Sequence, residues 1–197
     1  MGSSTARYLF VITGPSGAGK GTLIHELLAR VPELETTVSA TTRERRPGEV
    51  DGREYHFVSE DEFERRVAAG EFLEWVTYVS GHRYGTLWSE LDRLAARGKT
   101  AVLELETEGA LRVKAQKPEA AVTIFISAPV AELERRLRER ATESAGEIGE
   151  RIELARRQLE QAGEFDYVVE NDDVERAAAE LTGIVRRVLD GAATMRP

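Results

Sequence analysis

Gly14-Pro15-Ser16-Gly17-Ala18-Gly19-Lys20-Gly21-Thr22 follows the apolar run Tyr8-Leu9-Phe10-Val11-Ile12 and leads into a segment where Leu23, Ile24, Leu27, Leu28 and Val31 recur at helical spacing until Pro32. A buried strand, a glycine-rich turn and an amphipathic helix in that order aim consecutive backbone N–H groups at one point, at the positive end of the helix. Lys20 adds a mobile positive charge there, so the unit is built to hold a polyphosphate and every residue from Gly14 to Thr22 is a candidate contact. The usual form of such a loop has Ser or Thr directly after the lysine. Here Gly21 takes that place. A surface turn with a lysine would account for the glycines, but not for strand, Gly14, Gly17, Gly19, Lys20 and helix together in register.

Working outward, the same logic repeats. Runs rich in β-branched residues at Thr100–Glu106 and Ala121–Ser127, and a shorter one at Tyr167–Val169, predict further strands. Helical spacing is expected over Ser89–Arg97, Gly109–Gln116, Pro129–Arg138, Gly146–Ala162 and Val174–Leu189. Strand and helix alternating in this way predict an α/β core with a parallel sheet covered on both faces, over approximately 7–35 and 89–190. The stretch of approximately 36–88 breaks the rhythm with aromatic residues, short polar-apolar alternations and the turns Pro47-Gly48 and Asp51-Gly52, and is expected to be an inserted lobe of short strands. A second irregular stretch, Arg140 to Gly146, has the small polar residues of a mobile lid, placed over approximately 136–151.

At 197 residues, 41% hydrophobic and 31% charged, the chain supports one sizeable core. The net charge of −8 argues against a broad basic face for nucleic acid, so the arginine clusters have local work. There is no cysteine and no apolar stretch near the ~20 residues that span a bilayer, and a cytoplasmic protein without a membrane partner is expected. Met1 to Thr5 resembles a flexible lead-in. His25, His56 and His82 lack metal-ligand spacing, and no protein-held metal is expected.

The lobe opens with Ser39-Ala40-Thr41-Thr42-Arg43-Glu44-Arg45-Arg46-Pro47-Gly48-Glu49. Arg43 and Arg46 are close enough to converge on one anion, and guanidinium forks match phosphate oxygens in pairs. Glu44 and Glu49 among them make a single phosphomonoester a better partner than a long polyanion. Glu104 and Glu106 alternate with Leu103 and Leu105, which predicts that they share a face at the carboxyl end of their strand, where ligands bind in open α/β sheets.

With these residues in view, the chain resembles the nucleoside monophosphate kinases, and among them the guanylate kinase family. The resemblance runs from Tyr8 to about Leu189 and rests on GPSGAGK, SATTRERRPGEVDGREYHF, GEFLEW followed by YGT, LELETEG and FDYVVENDD. It implies a P-loop kinase that transfers the γ-phosphoryl group of ATP to GMP with Mg²⁺, giving GDP and ADP. Arg43, Arg46, Tyr55 and Tyr84 would hold the GMP phosphate, while Ser39, Glu74 and Thr86 would read the guanine. Guanine presents two adjacent donors that one carboxylate accepts as a pair, whereas adenine N1 is an acceptor and would face Glu74 unfavourably. Ser39 and Thr86 would donate to O6. Glu104 and Glu106, where the family has Asp-x-Asp or Glu-x-Asp, would touch the guanosine end and water around the metal. Arg136, Arg140 and Arg151 match arginines that close over the transferring phosphates. Lys20 would share that catalytic work, and Asn171 falls in the turn near the adenine. Because Gly21 brings no hydroxyl, Mg²⁺ is expected through nucleotide phosphates and water. Lobe and lid would close on binding and exclude water. Monomer and homo-oligomer are equally compatible.

Two other functions stay open at this stage. A kinase for AMP or a sugar phosphate keeps Gly21-Thr22 in common with adenylate kinases, but has no use for Ser39, Glu74 and Thr86. A non-catalytic module binding phosphopeptides through the arginine and tyrosine site would not need Gly14, Gly19 and Lys20 intact.

Overall fold

The computed structural model describes residues 8–78, 81–139 and 145–191, in which nine strands and seven α-helices alternate. Five strands form one parallel sheet in the order β2 (Leu34–Thr36), β7 (Thr100–Glu104), β1 (Leu9–Thr13), β8 (Ala121–Ser127), β9 (Tyr167–Glu170). Every residue of β1 is buried, as a central strand covered on both faces requires. Its side chains alternate between two cores. Phe10 and Ile12 pack with Leu23 and Leu27 of α1 (Lys20–Arg30) and with Leu181 and Val185 of α7 (Val174–Leu189). Leu9 and Val11 face Leu94 of α3 (Trp88–Ala96) and Ala110 and Val113 of α4 (Thr107–Gln116). The expected helices-on-both-faces core is present. Among the described residues, no helix is long and apolar enough to cross a membrane.

The inserted lobe carries its own four-stranded sheet, β4 (His56–Phe57), β3 (Ala40–Thr41), β6 (Arg83–Leu87), β5 (Phe72–Thr77), with a third small core of Ala40, Phe63, Phe72 and Leu87. It also contains a helix that the reading as short strands did not predict, α2 (Glu60–Ala68). Its start signal is local: the Ser59 hydroxyl accepts from Glu62 N at 3.2 Å, and three acidic residues occupy the first turn. Phe63 and Val67, four apart, turn its apolar side to Phe72 and Trp75.

Two further differences bear on the site. Thr36, at the expected start of the lobe, ends β2 and pairs with Val102 in the core sheet. Strand β7 stops at Glu104, so Glu106 does not alternate along it; Glu106 is the N-cap of α4. The chain turns at Leu105, whose N–H still reaches Ile12 O at 3.1 Å. The stretch expected to form a lid is flanked by α5 (Val130–Glu139) and α6 (Ala145–Glu160). Arg140 and residues 141–144 of the expected lid lie outside the described residues.

Candidate active site

The glycine loop crosses the carboxyl ends of β1 and β8, and its glycines are fixed by contact as much as by conformation. Gly14 has φ 139°, and a Cβ there would lie 2.1 Å from Ile126 O, so only glycine lets the loop pass against β8. Gly19 caps α1 in the left-handed region, with φ 84°. Lys20, the first residue of that helix, donates from Nζ to Gly14 O at 2.7 Å and Pro15 O at 3.1 Å, which holds the ammonium across the loop. Burial pushes its pKa down, opposed by the charges of Glu106 and Glu104.

Asn171 lies beneath this loop, 1% exposed, with Nδ2 donating to Ala18 O at 2.7 Å. Its place is that of a prop under the loop backbone, and its Oδ1 has no hydrogen-bond partner among the described residues. Arg136, on α5, donates from Nη1 to Gly17 O at 3.1 Å and from Nε to Glu132 at 2.7 Å, so one of the expected lid arginines reaches the loop itself. Arg151 is half-buried on α6.

Facing the loop is a cavity of about 460 Å³, within the range of sites that enclose a small ligand. Its walls bring Ser16 and Lys20 of the loop together with Ser39, Tyr55, Glu74 and Tyr84 of the lobe and Glu104 and Glu106 of the core. The β5–β6 hairpin explains the lobe side. Glu74 pairs with Thr86 and Val76 with Tyr84, which places all four side chains on one face of the small sheet. Glu74 is 4% exposed, and its Oε1 accepts from the Thr86 N–H at 2.9 Å. Burial pushes its carboxyl up to about 6, against the pull of Thr86 and Arg112. The Thr86 side chain is fully buried beside it and does not line the cavity. Tyr55 and Tyr84 meet edge to face at 5.8 Å, and burial raises the Tyr55 pKa, keeping the phenol a hydrogen-bond donor. Glu104 stands in the open cleft between cavity walls; its carboxyl is raised by partial desolvation, lowered by Lys20 and raised again by Glu106.

The two lobe arginines are placed differently from expectation. Arg43 grips Glu49 with both terminal nitrogens, at 2.8 and 3.1 Å, with its guanidinium 5.4 Å from the Tyr55 ring centre. The other hydrogen bond on Glu49 comes from the backbone of Arg46, at 2.7 Å, while the Arg46 side chain is exposed. Only the Arg43 guanidinium reaches this carboxylate, Arg46 contributing its backbone N–H alone, so the two guanidinium groups do not converge here, and neither arginine lines the cavity.

Several cavity residues escaped the sequence reading. Thr36 and Thr37 line it from the end of β2, a strand too short to announce itself by alternation. Behind the cavity wall, Gln158 of α6 is buried and donates to the lining residue Glu106 at Oε2, 3.2 Å away, a tertiary contact with no local signature.

The glycine loop and the lobe residues Glu74, Tyr55 and Tyr84 thus face one cavity, in a chain whose sequence and fold are shared with known proteins. The sequence profile of the guanylate kinases matches residues 6–188. The chain belongs to the guanylate kinase family. A guanylate kinase of Rubrobacter xylanophilus is 47% identical over 184 residues, covering 93% of this chain and 95% of its own length. One from Symbiobacterium thermophilum is 45% identical over 191 residues, covering 94% and 90%. The crystal structure of a guanylate kinase from Anaplasma phagocytophilum superimposes with a TM-score of 0.74 at 29% identity, over 96% of this chain and 88% of that one. The expected P-loop kinase fold is thus shared with a solved guanylate kinase, and the activity is that of a nucleoside monophosphate kinase acting on GMP.

Proposed function

We propose that this guanylate kinase transfers the γ-phosphoryl group of ATP to GMP within the cavity that both Lys20 and Glu74 line. The observation that carries this reading is that the glycine loop, through Ser16 and Lys20, and the buried Glu74 carboxylate of the lobe line the same space. ATP places its phosphates on the amides of Gly14 to Thr22, and Lys20 exchanges the carbonyls of Gly14 and Pro15 for phosphate oxygens. GMP places its base against Glu74 and Ser39, with the buried Thr86 steadying Glu74 through its backbone N–H, and its phosphate near Tyr55 and Tyr84, where it displaces Glu49 from Arg43 and draws in Arg46. Arg136 and Arg151, together with Arg140 outside the described residues, stabilise the charge spread over the transferred group from the lid of approximately 136–151. Glu104 and Glu106 hold the guanosine end and ordered water. No residue needs to act as a strong base, since in-line transfer depends on alignment and neutralised charge. The lobe of approximately 36–88 and the lid close on a core of approximately 7–35 and 89–190.

Mg²⁺ fits this site as an ion carried by the substrates. Among the described residues there is no group of three or more His, Cys, Asp or Glu side chains arranged to hold a metal, and at Gly21 a Cβ would meet nothing within 4 Å. Bound with the nucleotide, it would neutralise charge on the phosphates. The space at Gly21 makes the point testable: Gly21→Ser is expected to fold normally and to lower the Mg²⁺ concentration for half-maximal rate about threefold or more. An unchanged Mg²⁺ titration would contradict substrate-only coordination as the consequence of Gly21.

The loop prop gives a second expected outcome. Asn171→Ala removes the partner of the buried Ala18 carbonyl, a loss of about 1–3 kcal/mol, and loosens the loop. The KM for ATP is expected to rise about tenfold while the KM for GMP stays within twofold, read by steady-state kinetics with each substrate varied.

The reading as a whole is tested by coupled ADP release across GMP, dGMP, AMP, CMP and UMP. GMP is expected to be preferred over AMP by a factor of about a thousand or more. Preference for AMP would overturn the assignment of Glu74, Ser39 and Thr86.

A further inference from the structure

We propose that Gly109 is a specificity-determining position: its bare Cα on α4 leaves the space that the Glu74 carboxylate occupies and so sets where that carboxylate meets the guanine. The inference rests on Glu74 being the group that reads the base. Gly109 is the third residue of α4, is buried, and lies outside the positive-φ glycines, so its backbone makes no demand for glycine. In a helix glycine costs about 1 kcal/mol relative to alanine, and its presence there calls for a reason in packing. A Cβ at 109 would lie 2.8 Å from Glu74 Oε2 and 3.5 Å from Glu74 Cδ. On the opposite side, Glu74 Oε1 accepts from Thr86 N at 2.9 Å. The carboxylate is thus held between a lobe amide and a core helix that has been cleared of a side chain.

The seam around it is closed to retreat. Arg112, three residues along α4, donates to Trp75 O on β5 and to Glu108 Oε1, both at 2.6 Å, and its guanidinium lies 5.8 Å from the Trp75 ring centre. Core helix and lobe strand are therefore joined beside Glu74, so separating them to relieve a methyl group at 109 would break these contacts, whereas turning the Glu74 side chain would not. Glu74 Oε2 is the free end of a flexible side chain. It yields by rotating, which moves the acceptor pair away from the guanine donors and leaves the fold intact.

Steady-state kinetics of Gly109→Ala test the idea. The KM for GMP is expected to rise about tenfold or more, with kcat at saturating GMP and the KM for ATP within about twofold of wild type, and with Tm unchanged or higher as helix propensity improves. Glu74→Asp withdraws the carboxylate by one methylene and is expected to remove the conflict. Introducing Gly109→Ala into Glu74→Asp should change the KM for GMP less than threefold, a coupling that a general structural defect would not produce. A wild-type KM for GMP in Gly109→Ala, with Glu74→Gln impaired, overturns the role of Gly109 alone. Wild-type values in both variants overturn the reading of Glu74 and the inference with it. A parallel loss in kcat and in both KM values that persists in the Glu74→Asp background also overturns it.

Discussion

Lys20→Met is expected to lower kcat about a thousandfold, the scale associated with losing one preorganised charge at a reacting centre. The KM for GMP should stay within about threefold, because the lysine belongs to the phosphate loop and the guanine site is built from the lobe. Tm is expected to hold. Burial already disfavours the ammonium, so replacing it with an apolar chain of similar length removes a desolvation cost that offsets the loss of its bonds to Gly14 O and Pro15 O and of the positive charge beside Glu106 and Glu104. Steady-state ADP release and a thermal melt check both halves. A loss below tenfold would mean that the loop amides and Arg136 carry the stabilisation without Lys20.

Glu74→Gln is the second large effect, and it separates function from stability. An amide offers one acceptor and one donor to the two guanine donors, so a charge-assisted pair becomes one bond and one conflict. The KM for GMP is expected to rise about a hundredfold. The folded protein should meanwhile be more stable. Burial raises the Glu74 pKa from 4.5 to about 6, and a shift of that size corresponds to roughly 2 kcal/mol against the ionised form at neutral pH. The folded state binds this proton more tightly than the unfolded chain does. The cost is therefore complete above pH 6 and gone below about 4.5. The variant is expected to melt a few degrees higher than wild type at pH 7, with the gap closing as pH falls through that window. In wild type, kcat/KM for GMP should fall as pH drops below about 6, since that ratio reports the free enzyme, and the variant should lack this limb. A variant less stable than wild type at pH 7 would contradict the burial argument.

The parts of the molecule that could be read from sequence are those whose causes are local. A strand, glycines at 14, 17 and 19, Lys20 and an apolar helical stripe are consecutive, and the loop they form is where it was expected. The parallel sheet followed from β-branched runs alternating with helices. What escaped depended on contacts distant in the chain. The three residues of β2 are a strand only because β7 lies beside them, and without β2 the threonines at the cavity rim had no address. Helix α2 did carry its own signal, Ser59 and Glu62 three apart before Phe63, but the surrounding short strands outweighed it. At the site, Glu74, Tyr55 and Tyr84 were named from resemblance, since nothing local distinguishes them from packed residues; the hairpin register and the cavity are what bring them together. The grip of Arg43 on Glu49 could not be foreseen in the same way, because an arginine flanked by glutamates chooses its partner by geometry that only the folded turn supplies.

In the proposed function one continuous cavity receives both substrates, with Lys20 at the donor end and Glu74 at the acceptor end. Inhibition by adenosine and guanosine joined through five phosphates tests it most directly. Such a molecule should compete with ATP at fixed GMP and with GMP at fixed ATP, and Glu74→Gln should weaken it about as much as it weakens GMP. Inhibition competitive with one substrate and non-competitive with the other would contradict a shared cavity.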